Sequence, residues 1–227
     1  MKKILFSLIC LIPVADAKKP VFAPIIEDPG LPRVLIVGDS ISIGYTLGVR
    51  KALEGKANVL RIPTNAGHTG MGLAGLPKWL DEKNGKWDVI HFNWGLWDLC
   101  YRNPESKTQG KRDKINGKQT HSPDQYARNL EKIVKILKGT GAKLIFATTT
   151  PVPEGEAGRV VGDDKIFNQK AVEVMERHKI TVNELHALMA PDLEKYIVAK
   201  GDVHFKPKGS QKLANQVAKA IEAALDK

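Results

Sequence analysis

The order of the apolar runs constrains the fold of this chain more than any other feature. Short runs rich in Val, Ile and Leu, typical of buried strands, alternate with longer segments of helical spacing. The strands are predicted at residues 33–37, 58–62, 87–93, 143–148 and 180–182. The helices are predicted at residues 41–53, 73–82, 122–137, 163–178 and 208–225. Because such alternation builds βαβ units, we expect an α/β fold: a three-layer α/β/α sandwich with a mostly parallel central sheet of about five strands.

The first 17 residues have the pattern of a secretory signal peptide. They combine a lysine pair, an apolar stretch and the small-x-small ending Ala-Asp-Ala. A membrane anchor is the alternative, but the apolar stretch is too short to span a bilayer, so no stable membrane insertion is expected. The proline-rich residues 18–32 predict an extended arm, and residues 33–227 a single domain. The predicted location is therefore the periplasm or the outside of the cell.

The charge balance favours an anionic partner. The chain has 35 Lys and Arg against 25 Asp and Glu, a net charge of +10. Nucleic acid is disfavoured, since the chain has few aromatics and no nucleic-acid-binding motif. Residues 101–121 form a long polar connection that includes Lys111 and Arg112 and should emerge at the carboxyl edge of the sheet. It is predicted to be either a ligand-binding element or a surface insertion.

A candidate nucleophile, Ser40, directly follows the first predicted strand in the stretch VLIVGDSISIGY. This position exposes a side chain at the ligand-binding edge, next to the amide groups of a helix N-terminus. A simple helix cap is one alternative. A phosphate loop is another, but the Lys-Ser/Thr that such a loop needs is missing. A serine nucleophile also requires a base and a partner that orients the base.

Three further stretches should reach the same edge of the sheet. His204 has Asp202 two residues before it, close enough for the carboxylate to hold the imidazole if the chain bends. Residues 65–70 follow the second strand and residues 93–98 the third. Glycines in both stretches let backbone amides approach a ligand closely, although each stretch alone is also compatible with an ordinary turn.

Together these stretches resemble the SGNH, or GDSL, hydrolase family of esterases and lipases, from about Arg33 to the end of the chain. Gly38-Asp39-Ser40 matches the nucleophile block and Asn65-Ala66-Gly67 the glycine block. Gly95-Leu96-Trp97-Asp98 occupies the Gly-x-Asn-Asp block, and Asp202-Val203-His204 the terminal Asp/His block. The resemblance implies a flavodoxin-like α/β/α fold of the SGNH hydrolase type.

The resemblance also implies the roles of the site residues. Ser40 is the expected nucleophile, His204 the general base and Asp202 the residue that orients His204. The backbone amides of Ser40 and Gly67 are expected to form an oxyanion hole, and no metal or organic cofactor is expected.

Two positions depart from the family pattern. Trp97 stands where the family has an oxyanion-hole asparagine, so Asn93 or Asn65 is the expected replacement. Gly201 stands where the family has its aspartate, so either Asp202 or a main-chain carbonyl must orient His204.

The expected function is that of a secreted serine esterase that hydrolyses acyl esters, acetyl esters first, on a polysaccharide, with acidic polysaccharides among the candidates. Trp94 and Trp97 are predicted to stack on sugar rings, unless they are buried at strand ends, and Lys111 and Arg112 to bind the substrate. One alternative is a non-catalytic glycan-binding module on a degenerate SGNH scaffold. Another is a lysophospholipase or thioesterase of the same family, which the polar 101–121 segment disfavours.

Overall fold

The computed structural model of the chain describes residues 20–81 and 85–226. The predicted signal peptide, residues 1–17, lies outside the described residues. Of the predicted N-terminal arm, residues 20–32 are described, and they begin with a 3-10 turn at Pro20–Phe22. The arm is attached to the start of the second strand, where the amide of Asp28 donates to Asn58 Oδ1 at 2.9 Å and Asn58 Nδ2 donates back to the Asp28 carbonyl at 2.8 Å.

The described residues form a central five-stranded parallel sheet and a separate two-stranded one. The strands are β1 (Arg33–Val37), β2 (Asn58–Arg61), β3 (Val89–Phe92), β4 (Tyr101–Arg102), β5 (Lys118–Gln119), β6 (Lys143–Ala147) and β7 (Thr181–Asn183). The central sheet has the order β2-β1-β3-β6-β7, and every pair in it is parallel. Leu35 of β1 pairs with Leu60 on one side and Ile90 on the other. The predicted parallel sheet of five strands is confirmed.

Helices cover both faces of this sheet. They are α1 (Ser40–Ala52), α2 (Thr69–Leu80), α3 (Pro123–Lys138), α4 (Asp163–Arg177), α5 (Leu185–Met189), α6 (Leu193–Tyr196) and α7 (Pro207–Leu225). The chain moves along the sheet in one direction from β1 to β2 and in the other from β2 to β7, so right-handed crossovers place α1 opposite α2, α3 and α4. Helix α7 packs against α1, while α3 contacts both α2 and α4. No helix in the described ranges is long and apolar enough to cross a membrane.

The site lies where this reversal of direction opens the sheet. β1 and β3 are neighbours, but the connections that follow them run to opposite faces and leave a crevice at their carboxyl ends. The residues directly after β1 include Ser40, and those directly after β3 are residues 93–98. The topology alone therefore brings these two stretches to one edge.

Two features differ from the sequence expectations. Helix α2 begins at Thr69, four residues before the predicted start, because His68 caps it: His68 Nδ1 accepts the amide of Met71 at 3.3 Å. Glycines at positions 70 and 72 have low helix propensity, so the sequence did not predict this first turn. The short helices α5 and α6 were not predicted, because each is little more than one turn long.

The polar 101–121 segment is folded rather than irregular. β4 and β5 pair antiparallel within it, and Asp113 organises its centre. Asp113 Oδ1 accepts the amides of Ile115 and Asn116, both at 3.0 Å, and Oδ2 accepts Asn103 Nδ2 at 3.1 Å. The hydrogen bond from the Asn116 amide, supported by the others, lowers the pKa of Asp113 to about 2. This segment, called the hairpin segment below, is thus held in one shape over the crevice.

Candidate active site

Ser40 is the first residue of α1, directly beyond the carboxyl end of β1. The buried Asp39 caps the helix, since its Oδ1 accepts the amide of Ile41 at 2.9 Å. Burial raises the pKa of Asp39, against the opposing effects of that hydrogen bond and the charge of Arg159. As the first helical residue, Ser40 has an amide with no acceptor within the helix, so this N–H is available to a ligand.

Arg61 supports the Ser40 turn from the end of β2. Its Nη2 donates to Ser42 Oγ at 2.7 Å and to the Gly38 carbonyl at 3.3 Å. Its Nη1 donates to the carbonyls of Ile62 and Thr64 at 3.1 and 2.9 Å. Burial lowers the pKa of this guanidinium to about 10, which leaves it protonated at neutral pH. One buried cation therefore ties the loop after β2 to the turn that carries Ser40, a role for which the sequence pattern held no signal.

His204 lies between Ser40 and Asp202. Its Nε2 is 2.9 Å from Ser40 Oγ, and its Nδ1 is 2.6 Å from Asp202 Oδ1. The same carboxylate oxygen accepts the backbone amide of His204 at 2.9 Å. A proton on Nδ1 that is donated to the carboxylate leaves Nε2 free to accept the Ser40 hydroxyl. Of the two partners left open by the sequence, the carboxylate of Asp202, and not a main-chain carbonyl, stands beside the ring.

Asp202 is ionised at neutral pH. Burial acts to raise its pKa, but hydrogen bonds from the amide and ring of His204 outweigh that effect. The charges of His204 and Arg112 act in the same direction, and the pKa of Asp202 lies below its ordinary value. A fixed carboxylate of this kind orients the imidazole and stabilises the imidazolium that forms when the ring takes a proton.

Asp98, at the end of the stretch after β3, is fully buried and contacts residues of two other segments around the site. It accepts the amide and the hydroxyl of Thr69 at 3.0 and 2.5 Å, and His121 Nδ1 lies 2.7 Å from it. Asn129 Nδ2 in turn donates to Thr69 Oγ1 at 2.9 Å. Asp98 thereby fixes the start of α2 and the end of the hairpin segment to the third strand.

A cavity of about 280 Å³ opens above Ser40 and His204. The loops after β1, β2 and β3, the hairpin segment and the stretch before α7 all contribute to its wall. Most of the residues on the wall are of polar or charged type, and three of them are arginines: Arg102, Arg112 and Arg159. Within residues 20–81 and 85–226, no group of three or more His, Cys, Asp or Glu side chains is arranged to hold a metal ion. A serine, a histidine and a carboxylate in a hydrogen-bonded row beside such a cavity can perform acyl transfer.

Comparison with known proteins agrees with this chemistry. The sequence profile of the GDSL-like lipase/acylhydrolase family matches residues 36–212, which is most of the chain. The chain belongs to this family. The SGNH/GDSL resemblance expected from the sequence is thereby confirmed, and the family implies an ester hydrolase.

Several solved structures have a similar fold. The lipase/acylhydrolase from Enterococcus faecalis has 20% identity and a TM-score of 0.68, with 85% of this chain and 96% of that one covered. An acetyl xylan esterase, AlAXEase, has 15% identity and a TM-score of 0.66, with 83% and 99% covered. TesA has 19% identity and a TM-score of 0.62, with 85% and 99% covered. At these identities the likeness establishes the SGNH hydrolase fold. No curated protein matches the chain in sequence.

The structure explains why this GDSL hydrolase has a glycine where the family has its aspartate. Gly201 has a φ of +74°, in the left-handed region that disfavours side chains. A Cβ there would lie 2.6 Å from the carbonyl oxygen of Gly155. A side chain at position 201 would require the backbone to shift, and Asp202 reaches His204 instead.

The two tryptophans of the third block have different surroundings. Trp97 lies on the cavity wall, with the guanidinium carbon of Arg102 4.9 Å from its ring centroid. Trp94 is fully buried, packs against Gly72 of α2 and accepts the Tyr126 hydroxyl on its carbonyl at 2.8 Å. The prediction that Trp94 stacks on a sugar is therefore wrong, because no face of its ring is open, and the buried strand-end alternative applies. Trp97 remains a candidate for substrate binding.

The oxyanion-hole expectations need two corrections. Asn93 does not line the cavity, and its Nδ2 donates to the Ala147 carbonyl at 2.7 Å. Gly67 does not line it either, and its amide donates to Asn65 Oδ1 at 2.9 Å. Neither group is free to bind a substrate oxygen in this arrangement. Asn65, the other replacement considered from the sequence, does lie on the cavity wall, and its Nδ2 donates to none of the described residues.

Of the two basic residues expected to bind substrate, only one lines the cavity. Lys111 is exposed and lies outside the cavity, whereas its neighbour Arg112 lines it. Sequence reasoning missed Arg102 and Arg159, which share that wall, and Glu156, which pairs with two of the arginines. Glu156 and Arg159 are three residues apart, but Arg112 comes from a distant segment, and nothing in the local sequence indicates that it joins them.

Proposed function

We propose that this GDSL hydrolase is an exported serine esterase that removes short acyl groups, acetyl groups first, from a polysaccharide. The observation that carries the proposal is the hydrogen-bonded row from Asp202 through His204 to Ser40, which opens on a cavity. Among the described residues, the cavity wall has three apolar side chains, those of Leu96, Trp97 and Val203. Three such side chains can cover an acetyl group but not a long acyl chain.

In the first half of the reaction, Ser40 Oγ attacks the ester carbonyl carbon while its proton passes to His204 Nε2. The carbonyl π bond opens, and its electron pair moves to the oxygen. When the tetrahedral intermediate collapses, the bond to the sugar oxygen breaks and His204 returns the proton to that oxygen. The products of this half are the free sugar hydroxyl and an acetyl group covalently bound to Ser40.

In the second half, water takes the place of the sugar. His204 accepts a proton from the water, whose oxygen attacks the acyl-enzyme carbonyl. Collapse breaks the bond to Ser40 Oγ, which recovers its proton from His204, and acetic acid leaves and loses its proton to the solvent. Asp202 keeps the ring oriented and stabilises its charged form in both halves.

The negative oxygen of each intermediate needs hydrogen-bond donors in fixed positions. The Ser40 amide is one, since it is the first of the helix and has no internal acceptor. The second is Asn65 Nδ2: the Gly67 amide fixes Asn65 Oδ1, and this leaves the amide nitrogen of the same side chain for the cavity. In this proposal Asn65 takes the place of the asparagine that Trp97 replaces.

Three observations favour an extracellular polysaccharide. Residues 1–17 have the signal-peptide pattern. The cavity is open to solvent, with His204 and Asp202 side chains 48% and 38% exposed, so a sugar ester on a chain can reach Ser40. Trp97 on the wall offers an aromatic surface for a sugar ring. The printed name of one solved relative, an acetyl xylan esterase, is consistent with such a substrate.

The test is an acetate-release assay on acetylated polysaccharides, run beside hydrolysis of p-nitrophenyl acetate. The wild-type protein should release acetate, and Ser40→Ala should lower kcat by about 10⁴-fold or more, with an unchanged circular dichroism spectrum. Ser210→Ala, a serine on α7 outside the cavity, is the matched control and should retain full activity. Activity that survives Ser40→Ala would refute the proposal.

Two outcomes would point to the alternatives. No turnover of any acetyl ester, with retained binding of glycans, would favour a non-catalytic glycan-binding module, a role that Trp97 in the asparagine position makes worth testing. A rise in kcat/KM along p-nitrophenyl esters from two to twelve carbons would favour a lysophospholipase or thioesterase.

A further inference from the structure

Three arginines share the cavity wall with the reactive groups. Arg102, Arg112 and Arg159 come from the hairpin segment and from the loop before α4, and all face the space above Ser40. Arg112 is near enough to Asp202 for its charge to contribute to lowering the pKa of that carboxyl. The positive charge therefore lies beside the reacting atoms and not on a remote surface.

Glu156 holds two of these arginines in place. Its side chain is fully buried, and Oε1 accepts both Arg112 Nη1 at 2.6 Å and Arg159 Nη1 at 2.8 Å. Its Oε2 accepts the Gly158 amide at 2.6 Å. Arg159, only 5% exposed, also donates from Nε to the Leu96 carbonyl at 2.7 Å. Both guanidinium groups are thus fixed by carboxylate or backbone contacts before any ligand binds.

Glu156 is one carboxylate between two guanidinium groups. The next carboxylates, Asp39 for Arg159 and Asp202 for Arg112, are close enough to interact electrostatically but form no ion pair with these arginines in the described residues. The Nη2 atoms of Arg112 and Arg159 donate to no other described residue, although Arg159 is buried and both line the cavity. Arg102 has no acidic partner in the described ranges and donates to the Gly110 carbonyl.

Fixed guanidinium groups with free N–H donors match planar or tetrahedral oxyanions, which they bind with two parallel hydrogen bonds. We propose that the cavity binds an anionic substituent, a uronic-acid carboxylate or a sulfate ester, on the sugars next to the scissile ester. The inference rests on the proposed esterase function and narrows its substrate to an acidic polysaccharide. Arg112 and Arg159 hold the anion, and Arg102 adds to the field while its guanidinium packs on Trp97.

Binding is measured separately from turnover by isothermal titration calorimetry with the full-length Ser40→Ala protein. The probes are oligogalacturonate, a sulfated galacto-oligosaccharide and a neutral xylo-oligosaccharide of equal length. At least one anionic probe should bind about ten-fold or more tightly than the neutral one at low salt, which corresponds to one added charge-assisted contact. The two anionic arms distinguish a carboxylate from a sulfate.

Substitutions then identify the side chain that binds the anion. Arg112→Gln in the Ser40→Ala background should weaken binding of the preferred anion about ten-fold, and Arg112→Lys, which keeps the charge but loses the planar fork, should weaken it less. Lys107→Gln removes the same charge from an exposed position of the hairpin segment outside the cavity, and should change nothing. Unchanged binding in Arg112→Gln would overturn the proposal, as would equal weakening in Lys107→Gln.

The two proposals fail in different ways. Release of acetate from a neutral acetylated xylan at the same kcat/KM as from an acidic one, with equal binding of all three oligosaccharides, overturns the anion subsite and leaves the esterase standing. Tight, Arg112-dependent binding of an anionic oligosaccharide without hydrolysis of any ester overturns the esterase, and shows that the arginine wall binds anions.

Discussion

The close approach of Gly201 to Gly155 can be tested by the stability lost when one methyl group is added at position 201. Gly201→Ala places a Cβ 2.6 Å from the Gly155 carbonyl oxygen, on a residue whose φ is +74°. The substitution therefore combines two costs, a left-handed backbone for a residue with a side chain and an overlap with a backbone atom. Gly141→Ala separates them, because Gly141 has a φ of +76° and no atom within 4 Å of the added Cβ.

The expected magnitudes follow from this pair. The left-handed backbone costs an alanine about 1–2 kcal/mol, and the lower entropy of the unfolded alanine chain offsets about 0.4–1 kcal/mol of this in both variants. The overlap adds about 1–3 kcal/mol at position 201, since a backbone carbonyl cannot rotate away as a side chain can. The free energy of unfolding should thus fall by about 1 kcal/mol in Gly141→Ala and by about 2–4 kcal/mol in Gly201→Ala.

Urea unfolding followed by tryptophan fluorescence gives both values, and hydrolysis of p-nitrophenyl acetate gives the functional consequence. Because Asp202 is the next residue, a displaced backbone at 201 should also lower kcat, whereas Gly141→Ala should retain the wild-type rate. Equal losses of stability in the two variants would show that 201 is not crowded. Gly201→Asp, which restores the family pattern, is expected to behave like Gly201→Ala and not to improve the rate.

Three further predictions concern other parts of the site. Asn65→Asp keeps an acceptor for the Gly67 amide but removes the Nδ2 donor, and should lower kcat about a hundred-fold with little change in KM; an unchanged kcat would exclude Asn65 from the oxyanion hole. Arg61→Met leaves two loop carbonyls and Ser42 without their donor and should lower the free energy of unfolding by about 2–4 kcal/mol, measured in urea; a loss within ~0.5 kcal/mol would contradict the supporting role. Because folding lowers the pKa of Asp113 to about 2, its stabilisation is full above its ordinary value of 3.8 and is lost as the pH falls through about 2. Acid unfolding should therefore be steeper over this range in the wild type than in Asp113→Asn, and identical curves would refute it.

Much of the fold was predictable because local signals and topology agree. All five strands of the central sheet were placed from short apolar runs, and the helix predicted to open with Ser122 begins at Pro123, with Ser122 Oγ accepting the Gln125 amide at 3.2 Å. The carboxyl edge of a parallel sheet then brings Ser40 and His204 to one place. The hairpin segment was not predictable in detail, because β4 and β5 have two residues each and depend on the turn that Asp113 organises.

The candidate site was also predictable only in part. The row of Ser40, His204 and Asp202 lies in stretches that carry recognisable signals, and the structure brings these residues together. The Gly67 amide was wrongly predicted as an oxyanion-hole donor, because it already donates to Asn65 Oδ1. Whether a backbone amide is free depends on such contacts, which the sequence does not show. Glu156 and Arg112 are 44 positions apart, and no periodicity or composition connects them.

The loops around the cavity are hydrogen-bonded to one another as well as to the sheet. The Tyr101 amide donates to the Gly158 carbonyl at 2.6 Å and the Lys114 amide to the Ala157 carbonyl at 3.0 Å, while Gly155 touches Gly201. The hairpin segment, the loop around residue 156 and the loop that carries His204 thus form one unit. Anyone who transplants a new specificity into this enzyme must exchange the first two loops as a matched pair, since a hairpin grafted alone would lose its anchor and disturb the histidine loop.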